Sequence, residues 1–194
     1  LLEGQKVLLL GDVHGSRFGL FRRLFQDVKK LKKAGVTHIG IESNTVAMPL
    51  YFGSVMFLAP EMPLFIVWAR LNGIKIRGLD EFYIRDNKKK HGSRNKTYGK
   101  KLANLTSKPS TGKVIVIAGG AHLMVSKSAP IQDAIDRNEI PYRAYVTTNA
   151  LSPTDSWYFP ANQFVTDAGL AHDEVVIEAD ETKKGVVDGI INMP

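Results

Sequence analysis

Lys6-Val7-Leu8-Leu9-Leu10-Gly11-Asp12-Val13-His14-Gly15 lies near the start of the chain. Four consecutive apolar residues that stop at glycine read as a strand buried on both faces, as strands of parallel sheets are. The same grammar recurs downstream. Val36-Thr37-His38-Ile39-Gly40-Ile41-Glu42, Ile74-Lys75-Ile76-Arg77-Gly78-Leu79-Asp80 and Lys113-Val114-Ile115-Val116-Ile117-Ala118 are further strands. Tyr142 to Thr147 is a fifth, and Glu174 to Glu178 is a sixth, at an edge.

Helical patterns fall between them. From Phe18 to Lys33, Phe21, Leu24, Phe25, Val28 and Leu31 recur at helical spacing, with Lys and Arg on the other face and Gly35 as the stop. Glu61 to Leu71 reads as a second helix closed by Asn72-Gly73, and Gln132 to Asn138 as the end of another. Alternating strands and helices predict an α/β fold: a mostly parallel sheet of five or six strands with helices on both faces. The 194 residues suit one domain, 1–194, with a sizeable core.

Two stretches interrupt the alternation. Val46 to Ala59 is apolar but carries Pro49 and Gly53, with Pro60, Glu61 and Pro63 after it. It reads as a buried helix pair or a hydrophobic lid, and no transmembrane span is expected. The other stretch, Arg85 to Lys113, holds ten Lys and Arg against Asp86 alone. It nets +9, while the rest of the chain nets −2, so the total of +7 belongs to one segment. Its Asn, Gly, Ser and Lys content predicts a basic flexible loop at about 85–112. Nucleic acid is not the expected partner, because Tyr98 is the segment's lone aromatic for base stacking.

The absence of cysteine excludes a disulfide scaffold, a thiolate metal site and a cysteine nucleophile. Beginning at Leu1 rather than Met, the chain reads as an excised domain or a processed product, with no recognisable signal peptide.

In an open α/β sheet, ligands bind at the carboxyl ends of the strands. There the sequence sets Asp12 and His14, then Glu42 and Ser43, then Asp80 and Glu81, then Gly119-Gly120-Ala121-His122. Carboxylates at three ends and histidines at two are the functional signal. Asp12 and His14, two apart on extended backbone, point to one side, so the acid can orient the imidazole. Glu42 is expected to be partly desolvated, with its pKa raised toward use as a general base. Gly119 and Gly120 are expected to clear space for a ligand beside His122. Asp80 serves equally well as a helix cap. His38, at the opposite end of its strand, reads as structural, and His91 as solvated. No nucleophile elbow surrounds Ser43.

Two resemblances meet at the first motif. Gly11-Asp12-Val13-His14-Gly15 resembles the opening block of calcineurin-like metallophosphoesterases, but the later blocks of that family have only poor counterparts here. The second resemblance spans roughly residues 5 to 147. Strand–Gly-x-x-His (Gly11 to His14), strand–Ile-Glu-Ser (Glu42), strand–Gly-Leu-Asp (Asp80) and strand–Gly-x-x-His (Gly119 to His122) look like the superfamily of TIKI proteases, TraB proteins, erythromycin esterases and ChaN-like haem-binding proteins. Toxin-borne members such as the Ras/Rap1-specific endopeptidase module are similar in having an acid two residues before the first histidine. That acid is usually Glu in the family and is Asp12 here.

The resemblance implies a hydrolase of the peptidase or esterase type, with Asp12, His14, Glu42 and His122 catalytic. Without metal, Glu42 activates water while His14 or His122 polarises the carbonyl or protonates the leaving group. With metal, His14, His122 and Glu42 hold Zn, Mn or Co and leave an open position. The alternative of another class is a haem- or metal-binding module without turnover. The toxin likeness implies a protein or peptide substrate, a small GTPase among the candidates, and a host cytosol as the place of action.

Overall fold

The computed structural model describes residues 1–12, 17–42, 61–79, 91–123, 131–148, 175–178 and 187–192. These form a seven-stranded sheet: β1 (Val7–Asp12), β2 (Val36–Ile41), β3 (Lys75–Gly78), β4 (Lys113–Gly119), β5 (Tyr142–Thr148), β6 (Val175–Glu178) and β7 (Gly189–Asn192). The spatial order is β3-β2-β4-β1-β5-β7-β6. All neighbours pair in parallel except β6 with β7, which are antiparallel, so the sheet closes on a reversed edge strand. The α/β expectation holds. The strand beyond the expected five or six is β7, whose Gly-Ile-Ile-Asn run is too short to stand out by pattern.

The helices are α1 (Arg17–Lys33), α2 (Glu61–Leu71), α3 (His91–Thr106) and α4 (Ile131–Asp136). Successive residues of β1 and β4 alternate between two cores. Leu8, Leu10, Ile115 and Ile117 join Leu20, Phe21, Leu24 and Val28 of α1 and Phe65, Ile66 and Ala69 of α2 on one face. On the other, Val7, Leu9, Val114 and Val116 join Tyr98 and Leu102 of α3 and Ile131 and Ile135 of α4. Burying each large apolar side chain contributes about 1.5–3 kcal/mol. Both faces of the sheet are therefore closed, which is why its strands read as unbroken apolar runs.

α3 corrects the expectation of a loop. The basic stretch contains a 16-residue helix, and Asn95, Tyr98 and Leu102 lie on its buried stripe. Exposed Lys96 and Lys100 cover its outer side. Charge and small residues hid the apolar stripe because it is only one side chain wide.

Among the described residues, no helix is long and apolar enough to cross a membrane. The Val46 to Ala59 segment lies outside the described residues.

The winding locates the site. From β1 the chain runs through α1 and α2 along one face to β2 and β3, leaving a slot between β1 and β2. It returns through α3 on the other face to fill that slot with β4, then passes through α4 to β5. β4 thus sends its following helix to the face opposite those that follow its two neighbours, β1 and β2. A crevice at the carboxyl ends of such a strand pair is the usual ligand position in doubly wound sheets.

Candidate functional site

Glu42 follows the last residue of β2, and its main-chain N–H continues the ladder to the Ile117 carbonyl at 2.9 Å. β4 ends at Gly119, and one turn of 3₁₀ helix, Gly120–His122, carries His122 back over the sheet edge. The two side chains meet there, with Glu42 Oε1 3.0 Å from His122 Nε2. Glu42 Oε2 accepts the Gly119 N–H at 2.6 Å. Asp12 ends β1 with its main chain in register with Gly119 on one side and Thr147 on the other, at the same edge. Its side chain, His14 and Asp80 lie outside the described residues.

The first turns of α3 complete the arrangement with residues that the sequence did not single out. Arg94 donates to Glu42 Oε1 at 2.7 Å and to the Tyr98 hydroxyl at 2.7 Å, and its guanidinium stands 5.6 Å from the Tyr98 ring centre. Asn95 Oδ1 accepts from His122 Nδ1, and Asn95 Nδ2 donates to the His122 carbonyl at 3.4 Å. The Tyr98 ring tilts against the imidazole with centroids 5.2 Å apart. Asn95, Tyr98 and His122 are each at most 2% exposed, whereas the Glu42 and Arg94 side chains keep 23% and 29%. The outer layer of the site is therefore a carboxylate and a guanidinium, and the inner layer is the histidine with its supports. The signal for α3 was the Asn95, Tyr98, Leu102 spacing within the basic segment.

Tyr98 is buried, so it offers no surface for base stacking.

Two expectations about this edge are corrected. Burial does push the Glu42 carboxyl upward. The hydrogen bond and charge of His122 act against it, joined by the Gly119 N–H and the Arg94 charge, and together they hold it down at about 2. Glu42 is thus a firmly ionised carboxylate at rest, not a poised base. At Gly119, an added Cβ would lie 3.2 Å from Glu42 Oε2 and 3.8 Å from His122 Cδ2. Glycine there makes room for the Glu42 carboxylate rather than for a ligand. Gly11, below it, lets β1 approach the 3₁₀ turn: its Cβ would meet the Gly120 Cα at 3.1 Å.

The described donors do not fit a metal as they stand. Both His122 ring nitrogens already face oxygen atoms, Asn95 Oδ1 and Glu42 Oε1, so neither is turned toward open space. A guanidinium already occupies the carboxylate that a cation would need. Among the described residues, no three His, Asp or Glu converge as a metal-binding group. His38 is buried as expected, its Nδ1 2.9 Å from the Thr37 hydroxyl oxygen. His91 begins α3 rather than lying in a loop.

No family model matches the chain. It is similar to the multifunctional-autoprocessing repeats-in-toxin protein of Vibrio vulnificus, at 29% identity over an aligned length of 214 residues. The match covers 97% of this chain and 4% of that toxin. A solved structure titled "Bacterial protein toxins" is 26% identical, with a TM-score of 0.51. The likeness covers 80% of this chain and 36% of that one, so the chain spans little more than a third of the solved toxin. The type III effector HopBA1 shares the fold at 19% identity and a TM-score of 0.53, over 74% of this chain and 77% of that one. In fold and sequence this chain is thus similar to parts of bacterial toxin and effector proteins.

Proposed function

We propose that the chain is a hydrolase of the peptidase or esterase type, centred on Glu42 and His122. Its substrate in this reading is a host protein, met in the host cytosol, and a small GTPase is the first candidate. The observation that carries the reading is the 3.0 Å contact between Glu42 Oε1 and His122 Nε2 at the topological switch point of the sheet. An ionised carboxylate sharing a proton with an imidazole is a standard means of general acid–base chemistry. The same constellation, together with the Asp12 and His14 motif of the sequence, supports placement in the TIKI and erythromycin esterase superfamily.

Glu42, held near 2 by His122 first and then by the Gly119 N–H and Arg94, is too weak a base at rest to draw a proton from water. A substrate carbonyl offers the guanidinium a competing acceptor. As Arg94 turns toward that oxygen, Glu42 loses one stabilising charge and its basicity rises. Water then passes a proton to Glu42 while its oxygen bonds to the carbonyl carbon, and the oxyanion faces Arg94. When the scissile bond breaks, the proton moves to the leaving amine or alkoxide, directly from Glu42 or through His122.

The test is proteolysis itself. Purified chain is incubated with animal-cell lysate and, separately, with a recombinant small GTPase, and newly formed amino termini are identified by mass spectrometry. Glu42→Gln and His122→Gln, each confirmed folded by circular dichroism, serve as controls. New termini made by the wild type and lost in both variants support the reading. Equal termini in all three samples would sink it. A Soret band on haem titration, lost in His122→Gln, would move the assignment to a binding module.

A further inference from the structure

Arg94 and Asn95 are consecutive, yet they grip opposite ends of the Glu42–His122 pair. Arg94 holds the outer carboxylate. Asn95 holds the inner ring nitrogen and, through its amide nitrogen, the main-chain carbonyl of the same histidine. One side chain thus fixes both the position and the rotation of His122. The amide is 1% exposed, so water does not substitute for it. Its orientation follows from the second contact: the carbonyl of His122 can only accept, which turns Nδ2 toward it and Oδ1 toward the ring.

We propose that Asn95 is the positioning residue of this site: it accepts the Nδ1 proton of His122, commits Nε2 to Glu42, and does so as a neutral group. The neutrality has a consequence. The charged and titratable groups set against the ring include Glu42 from the end of β2 and, from α3, Arg94 and Tyr98. A carboxylate in place of Asn95 would sandwich the imidazole between two anions and fasten its proton. An amide supplies the same geometry and leaves the proton free to pass to a leaving group. The inference rests on the proposed hydrolase for its catalytic meaning, but its physical content stands without any substrate.

The experiment follows the His122 ring by nitrogen-15 and carbon-13 NMR, with His122→Gln identifying its signals. Three forms are compared: wild type, Asn95→Asp and Asn95→Ala. In the wild type, a slowly exchanging Nδ1 proton is expected. In Asn95→Asp, the midpoint of the ring titration should rise by at least one pH unit, a tenfold gain in proton affinity. In Asn95→Ala, the Nδ1 proton signal should be lost and the ring should show both neutral tautomers. A wild-type ring without a protected Nδ1 proton overturns the proposal even if neither variant folds. An unmoved titration in folded Asn95→Asp overturns it as well.

Turnover is read separately where a cleaved substrate is in hand. A positioning role predicts a loss in kcat of about 10- to 100-fold in Asn95→Ala with KM nearly unchanged. It also predicts that the alkaline limb of the pH–rate profile, set by loss of the His122 proton, moves up in Asn95→Asp. Unchanged kcat in both variants would refute the catalytic part. If no substrate is ever cut, the hydrolase reading fails while the ring titration still decides the role of Asn95.

Discussion

Replacing Glu42 by Gln removes one negative charge and leaves the three donors around it almost in place. In the wild type, the carboxylate takes Gly119 N–H at 2.6 Å, Arg94 at 2.7 Å and His122 Nε2 at 3.0 Å. These donors overcome the burial that would otherwise raise its pKa, and bring it from 4.5 down to about 2. At about 1.4 kcal/mol per tenfold change in proton affinity, that fall corresponds to about 3 kcal/mol of stability, trimmed to about 2–3 by residual solvent exposure. A carboxyl with a depressed folded-state pKa stabilises the fold above its unfolded value. The contribution is lost as the pH falls through the folded one. Wild type should therefore exceed Glu42→Gln by about 2–3 kcal/mol at pH 7, or about 5–10 °C in Tm for a chain of this size. The gap should close progressively from about pH 5 to pH 2. Thermal unfolding followed by circular dichroism across that range checks it. A Glu42→Gln variant as stable as wild type at pH 7, or a gap that persists at pH 2, would refute the view that these donors hold an ionised carboxylate.

Gly119→Ala would press a methyl group against the Glu42 carboxylate at 3.2 Å, so turnover should fall while Tm drops by no more than the about 5–10 °C expected of Glu42→Gln, because the strain is met by displacing that one side chain from its donors. His38 is held below the usual histidine range by burial first, then by the charges of Lys75, Arg77 and Lys108. Its contribution to stability is complete above about pH 6.5 and falls away below it, and His38→Asn should flatten that part of the Tm-against-pH curve. Neutralising exposed Lys96 and Lys100 on the outer side of α3 should raise KM for an acidic protein substrate at low salt and leave kcat unchanged. A KM insensitive to salt in the wild type would show that the basic face serves only solubility.

The strands were legible because both faces of the sheet are buried. A residue such as Leu9 or Ile115 has no solvent side, so the strand appears as an unbroken apolar run with a glycine or acid at its end. The site was legible for a related reason. Polar residues directly after such runs, Glu42 and the Gly119 to His122 turn, must lie at the edge, and strand order then brings two of those edges together. The supporting residues were not legible. Arg94 and Asn95 act through contacts 52 and 27 positions away in sequence, and Tyr98 through its ring contact with His122, within a segment whose composition reads as a loop. The sign of the Glu42 pKa was missed for the same cause. Burial is visible in an apolar strand, but the hydrogen bond and charge of His122, the Gly119 N–H and a guanidinium from a later helix, which converge on the carboxylate only in the fold, are not.

The basic segment therefore has three roles that its net charge conceals. Its inner stripe, Tyr98 and Leu102, belongs to the core shared with β1 and β4. Its first turns supply the cation and the amide that fix Glu42 and His122. Its outer side carries exposed lysines. Because one rigid helix joins the first two roles, damage to its core stripe should misplace Arg94 and Asn95 before it unfolds the domain. Truncating Leu102, fully buried and eight residues from Arg94, is such a change: it leaves a cavity costing about 2–5 kcal/mol. A loss of turnover in a Leu102 variant would therefore not mark a catalytic residue. Assigning chemistry at this edge requires variants such as Glu42→Gln and Asn95→Asp, which alter charge and leave the packing intact.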